Sequence, residues 1–300
     1  MLSFWARDSR ATVAPCSAAN TLRARLRVAR WLGALLVLAS SASAKPYRAM
    51  VTTTAETVPG GHVEVGARYQ AFILGVGRTS VSASNWHQVA ASARWGIIDN
   101  LELDLQLEAL LDWSPPGRAN AYFGDIPLAL HWTFLDRPKF ALGVFLRVTF
   151  PTGPSHIDVL PPTLSDGTWD GEATFVAEVR PSPWFRLMFN AGFLYHHVRN
   201  RSPAASFDVP EAVRWAVAGT FNLGKRWLFS LEALGLHFFR RDITPVWTDN
   251  QHLIEVIPGV RFEAIPRLVF EAGLGISATP WLREIWQLRP LAGVTYEFGP

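Results

Sequence analysis

Three neighbouring residues of this 300-residue chain have the side chains of a hydrolytic triad. Ser155, His156 and Asp158 could supply a nucleophile, a base and an orienting acid. A working triad needs the base within hydrogen-bond reach of the nucleophile and the acid behind it, and one short loop bracketed by prolines seldom provides this. We therefore predict no catalytic residue and no enzymatic activity, and we keep a membrane-embedded hydrolase only as a third hypothesis.

The histidines do not predict a metal site. His196 and His197 are adjacent, so on an extended strand they point to opposite faces and cannot bind one ion together. The other histidines are dispersed along the sequence. No glycine-rich phosphate loop and no paired-cysteine motif occurs. We therefore expect no metal and no cofactor.

One segment, residues 101–113, carries a row of carboxylates. Glu102, Asp104 and Glu108 alternate with leucines, so they lie on one face of a strand. Three carboxylates in a row could attract cations. They could equally pair with Arg94 and Arg68 on the preceding strands, and we consider pairing the better interpretation.

Charges of both signs recur at the same alternating positions in other strands. As a lining they could filter solutes; alternatively they pair with one another and fill the interior, because an unpaired buried charge is costly. Both hypotheses stay open. The predicted pore-lining residues are Arg68, Arg94, Glu102, Asp104, Glu108, Arg147, Glu178, Arg186, Arg214, Glu232, Glu255, Arg261, Glu271, Arg289 and Glu297, with Glu64, Arg180 and Glu263 as further candidates.

The segment 123–153 shows which elements carry these side chains. It contains two alternating strands joined by the turn sequence Asp136-Arg137-Pro138-Lys139, and each strand is roughly twice the usual length in a soluble sheet. One face of this hairpin is continuously apolar, so it needs a partner surface or lipid. The same alternation predicts twelve strands, at about 62–77, 86–96, 101–113, 122–135, 140–150, 172–181, 185–198, 211–223, 227–239, 252–264, 268–278 and 287–298.

Short and long connections alternate between these strands, the longest running from Pro151 to Gly171. Aromatic residues collect at both strand ends, as interfacial anchoring requires. A tilted strand of about twelve residues crosses the roughly 25 Å apolar band of an outer membrane. The sequence thus predicts an all-β fold: a transmembrane, antiparallel, up-and-down β-barrel of about twelve strands.

The N-terminal residues have the layout of a secretory signal. Four arginines from Arg23 to Arg30 precede a short apolar run that ends near Ala39, and Ala42-Ser43-Ala44 is a small-residue cleavage site. We predict a signal peptide at 1–44, a periplasmic or lumen-plugging segment at 45–61, and the barrel at 62–300. Without residues 1–44 the chain holds 22 basic and 24 acidic residues and no cysteine, so neither nucleic-acid binding nor a disulfide is expected.

Several short motifs resemble one family of bacterial barrels. They are Ala55-Glu56-Thr57 before Gly60, Gly124-Asp125-Ile126, Pro151-Thr152-Gly153 and Gly167-Thr168-Trp169-Asp170. They are similar to those of transporter-like outer-membrane barrels linked to the meta pathway of phenol degradation. The resemblance runs from Glu56 to the C-terminus and implies passage of small molecules, hydrophobic or aromatic ones among them. It brings no catalytic residues. Unlike the usual barrel ending in an aromatic residue, this chain continues past Phe298.

These observations converge on a monomeric pore or transporter in the cell outer membrane. Its expected partners are outer-membrane lipid and a small-molecule solute. The alternative is a structural or surface barrel with a closed lumen, whose long outer loops bind a ligand.

Overall fold

The computed structural model describes residues 49–73, 85–114, 118–153, 169–196, 211–239, 252–279 and 287–299. The signal-peptide prediction at 1–44 lies outside these residues. Thirteen β-strands occur in them: β1 Val63–Phe72, β2 Asn85–Ile98, β3 Leu101–Ser114, β4 Arg118–Phe123, β5 Ile126–Arg137, β6 Phe140–Phe150, β7 Asp170–Ser182, β8 Phe185–His196, β9 Ala212–Leu223, β10 Trp227–Phe238, β11 His252–Ile265, β12 Leu268–Ser277 and β13 Leu288–Phe298. The described residues contain no helix that is long and apolar enough to span a membrane.

The strands form one closed antiparallel sheet. Strands that follow one another in sequence pair, except β4 and β5, and β1 also pairs with β13, with Val63 opposite Phe298 and Gln70 opposite Leu291. Both β4 and β5 pair with β3, so together they make one strand of the wall. The wall therefore has twelve strands, which confirms the predicted antiparallel barrel.

The structure differs from the sequence prediction around residues 114–135. The predicted strand at 122–135 is two segments separated at Gly124 and Asp125. The first begins at Arg118, because its residues continue the ladder with the long strand β3. The connection after β3 is consequently only residues 115–117 and is not one of the long loops. The first strand also ends at Phe72, before the predicted residue 77, and 74–84 are not described.

The outer wall is apolar, as the alternation of the sequence predicts. Leu105 and Leu130 are 39% and 37% exposed, whereas Glu102 on the inner face of β3 is 4% exposed. Exposed aromatic rings lie at the short-turn ends of the strands and contact one another, as Trp132 does with Phe134 and Trp227 with Phe229. Rings at this position suit a membrane interface.

The short turns connect consecutive strands at one end of the barrel, and each uses few residues. Gly224 takes a positive φ of 74° between β9 and β10, where a glycine costs least. Arg267 has a φ of 73° between β11 and β12 although it is not a glycine. Its backbone N–H donates to Glu263 at 3.2 Å and its guanidinium donates to the Gly299 carbonyl at 2.6 Å. These two hydrogen bonds stabilise the unusual backbone of this turn.

Exposure of Leu130 predicts a strong effect of charge at this position. Leu130→Arg should destabilise the barrel in lipid by about 2 to 4 kcal/mol, because the arginine would face the middle of the hydrocarbon layer. Gln106→Arg is the control on the inner face. Folding yield into vesicles, measured by the heat-dependent gel shift of the folded barrel, should fall far more for Leu130→Arg, and the reverse order would contradict the assignment of faces.

The arrangement of connections predicts an orientation. Lys225 lies in the short turn between β9 and β10, and Ser165 lies in the sequence between β6 and β7. With no cysteine in 45–300, Ser165→Cys and Lys225→Cys can be labelled one at a time. An impermeant thiol reagent should modify the first variant on intact cells and the second only after lysis. Equal labelling of both on intact cells would refute this orientation.

Candidate functional site

The segment preceding β1, residues 49–61, lies inside the barrel. Its residues Ala49, Met50, Ala55 and Val58 are buried. Ala49 packs with Met188 and Ala218, and Ala55 packs with Ala141 and Val176. The N-terminal segment, the name used below for residues 49–61, thus packs against four consecutive strands of the inner wall, β6 to β9.

Glu232 on β10 binds the start of this segment. Its carboxylate accepts hydrogen bonds from the backbone N–H groups of Met50 at 2.6 Å, Val51 at 3.0 Å and Thr52 at 2.7 Å. A segment without regular structure cannot satisfy these donors itself, and a buried N–H without a partner is costly. One carboxylate therefore satisfies three consecutive donors.

Two more wall carboxylates bind the segment further along. Glu178 on β7 accepts from the N–H of Ala55 at 3.3 Å, and Glu102 on β3 accepts from the N–H of Val58 at 2.6 Å. The hydroxyl of Thr133 donates to the Ala55 carbonyl. The segment is therefore bound from three sides of the barrel.

Met50 fits a gap in the wall made by two glycines. Gly259 on β11 and Gly273 on β12 are cross-strand partners. A Cβ at Gly259 or Gly273 would lie 2.4 or 2.5 Å from the Met50 sulfur, so the buried Met50 side chain would have to move. Ile257 and Leu291 complete the contact. The two glycines thus make room for this thioether.

Ion pairs surround the segment at the short-turn end. Glu56 lies 2.6 Å from Arg186 and 3.7 Å from Arg180. Both arginines also contact Glu178, at 2.9 Å and 2.8 Å. Arg180 also pairs with Asp136 at 2.7 Å, so the segment contributes one of three carboxylates to a five-residue network.

A cavity of about 520 Å³ lies alongside the segment within the barrel. Four predicted pore-lining residues are not on its surface: Glu178, Arg186 and Glu232 contact the N-terminal segment or its ion pairs, and Glu297 contacts His62 at 2.7 Å. The other predicted residues that line the cavity are Arg68, Arg94, Glu102, Asp104, Glu108, Arg147, Arg214, Glu255, Arg261, Glu271 and Arg289.

The cavity lining is acidic overall. It includes nine carboxylates and six guanidinium groups, a formal excess of three negative charges. Many are paired across strands: Arg94 with Glu64 at 3.0 Å, Arg68 with Glu271 at 2.9 Å, and Arg289 with Glu255 at 2.9 Å. The predicted pairing of the carboxylate row holds for Asp104, which lies 3.4 Å from Arg94.

Sequence reasoning missed several residues of this lining. Glu172 binds both Arg147 and Arg214, and its six-residue separation from Glu178 on one strand was a signal for its inward position. The neutral residues of the lining could not be identified in the sequence by an argument based on charge. The glutamines Gln70, Gln88 and Gln106 and the leucines Leu194, Leu234, Leu236 and Leu253 also line the cavity.

Two histidines that are dispersed in the sequence meet in the structure. His237 on β10 is the register partner of His252 on β11, with their Nδ1 atoms 3.0 Å apart. Their separation in the sequence gave no indication that these two rings lie side by side. The described residues contain no group of three or more metal-binding side chains. Ser155, His156 and Asp158 lie outside the described residues, as does His197.

Comparison with known proteins identifies the fold. No protein-family model and no curated protein sequence matches the chain. An outer membrane channel from Pseudomonas putida F1 superposes with a TM-score of 0.61 at 13% identity, covering 81% of this chain and 98% of that one. The porin NanC gives 0.52 at 8% identity, covering 78% and 98%. The porin KdgM gives 0.50 at 8% identity, covering 78% and 99%. The chain therefore has the fold of outer-membrane channels and porins.

Proposed function

We propose that this protein is an outer-membrane channel that passes small molecules. The observation that carries the proposal is a charged cavity of about 520 Å³ inside a closed barrel with an apolar outer wall. A wall of this kind suits lipid, and a polar interior suits a solute path. The solved structures of the same fold are a channel and porins, which supports the proposal.

We further propose a monomer that passes compact solutes, hydrophobic or aromatic ones among them. The closed ring of twelve strands needs no second subunit to complete its wall. The resemblance of the turn motifs to transporter-like barrels of the meta pathway supports this class of solute. Leu194, Leu234, Leu236 and Leu253 support it as well, because they give one part of the cavity an apolar surface.

We also propose that the N-terminal segment sets the width of the path. Its backbone crosses the lumen between Glu232, Glu178 and Glu102. A solute can pass either through the space beside the segment or after the segment is displaced. The strength of these three contacts then determines how often the wider path is available.

Conductance in planar bilayers tests the channel. The refolded protein should give discrete current steps. These steps should be smaller than those of a twelve-stranded barrel with an unobstructed lumen. At low salt these currents should favour cations, because the cavity has an excess of negative charge and the Debye length is about 10 Å at 0.1 M. Currents no greater than those of the bare bilayer would favour the second candidate, a closed barrel whose loops bind a ligand. That candidate has some support in the tight packing of Met50.

The Glu232 contacts predict a gain of conductance on mutation. Glu232→Gln should weaken the binding of Met50, Val51 and Thr52 by about 2 kcal/mol, because hydrogen bonds to a charged acceptor are the stronger ones. This corresponds to roughly a thirtyfold change in the open-to-closed ratio. Frequent large current steps should appear. Glu255→Gln is the control, because it removes an equal charge that binds Arg289. Equal effects of the two variants would contradict a role for the segment.

A further inference from the structure

The lumen carboxylates do not all have the same kind of partner. Glu102 accepts a backbone N–H, Asp104 faces Arg94, and Glu172 is shared by Arg147 and Arg214. Each of these charges is bound by the N-terminal segment or by a guanidinium. None of them is free to bind a solute without breaking a contact that stabilises the barrel.

Glu108 on β3 differs from these carboxylates. Within the described part of the chain its side chain makes hydrogen bonds only with amide groups, those of Gln88 and Gln106. It makes no ion-pair contact with a described guanidinium. Glu108 is half-buried and lines the cavity, so its charge remains available to a solute.

A chain of amides orients this carboxylate. Arg289 donates to the Gln70 side-chain oxygen at 2.8 Å, the Gln70 amide donates to Gln88, and Gln88 donates to Glu108. Every donor points the same way along the chain, so the bonds strengthen one another and fix the orientation of the carboxylate. The carboxylate is therefore held in place with its negative charge uncompensated by direct contact.

An apolar surface lies across the cavity from Glu108. Counting β4 and β5 as one wall strand, β3 and β10 are six strands apart in both directions around the ring of twelve. β10 is thus directly opposite, and it contributes Leu234 and Leu236 to the same cavity. Leu194 and Leu253 from strands near β10 extend this surface.

We propose that Glu108 and these leucines form a binding site for amphiphilic organic cations. The solute would carry an ammonium group, which binds the carboxylate, and an alkyl or aryl body, which packs on the leucines opposite. A volume of about 520 Å³ lies within the range of sites for small organic ligands. An inorganic cation would use only the carboxylate. This inference rests on the proposed channel function and names one class of solute for it.

Binding can be measured without conductance. Isothermal titration of the detergent-refolded, full-length mature chain with n-hexylammonium should show saturable binding. Glu108→Gln keeps the shape of the side chain and should weaken binding about tenfold or more, since a charge-assisted contact is lost. Asp104→Asn is the matched control: it removes a carboxylate two residues away that faces Arg94, and it should change binding by less than about threefold.

A second pair of measurements tests the apolar half of the site. Leu236→Ser should weaken hexylammonium binding and leave the much weaker binding of methylammonium unchanged, because only the longer ion reaches the opposite wall. The heat-dependent gel shift should establish that every variant is folded. Equal hexylammonium affinity in the wild type and Glu108→Gln would overturn the proposal, as would an equal loss in Asp104→Asn.

Current recordings separate this inference from the channel function. In a conducting channel, hexylammonium should block the current carried by potassium, and Glu108→Gln should relieve the block. Saturable binding with no current would contradict the channel function and support the binding site. Current with no hexylammonium binding would contradict the binding site and support the channel function.

Discussion

Backbone N–H and C=O groups inside a hydrocarbon layer must find partners within the protein, and this constraint determines both the wall and its contents. In the wall it is met by the pairing of β1 with β13, which leaves no open strand edge. Inside the lumen the same constraint acts on the N-terminal segment, which belongs to no ladder. There Glu232, Glu178 and Glu102 replace the missing strand partner by accepting its N–H groups. A charged side chain is a suitable acceptor because it can serve several donors at once.

Glycines on the inner face also help the wall to accommodate the N-terminal segment. A backbone segment inside a barrel of twelve strands competes for space with the side chains of the wall. At Gly96 a Cβ would lie 2.1 Å from the Pro59 carbonyl oxygen, and at Gly259 and Gly273 it would meet the Met50 sulfur. These positions are glycines where the N-terminal segment lies closest to the wall. Carboxylates hold the segment by its donors, and glycines allow it to approach the wall.

The barrel could be predicted from the sequence because its evidence is periodic and local. Alternation in β3 places Leu105 outside and Glu102 inside without knowledge of any partner strand. The same argument could not detect the break at Gly124, since the pairing of β4 with β3 depends on a ladder rather than on a pattern. Contacts between distant residues were also beyond reach. Met50 and Glu232 are 182 residues apart, and His237 meets His252 only because of the strand register.

The carboxylate row shows why side-chain identity does not fix a role in this lumen. Glu102, Asp104 and Glu108 share one strand face, and the sequence treats them alike. Glu102 lies at the height where the N-terminal segment passes, and there it accepts the N–H of Val58. Asp104 is the register partner of Arg94 on β2, so a guanidinium reaches it. Glu108 is opposite Ala90, which offers no charge, and glutamine amides reach it instead. Neighbouring strands therefore decide which carboxylate binds backbone, which pairs with arginine, and which keeps its charge for a solute.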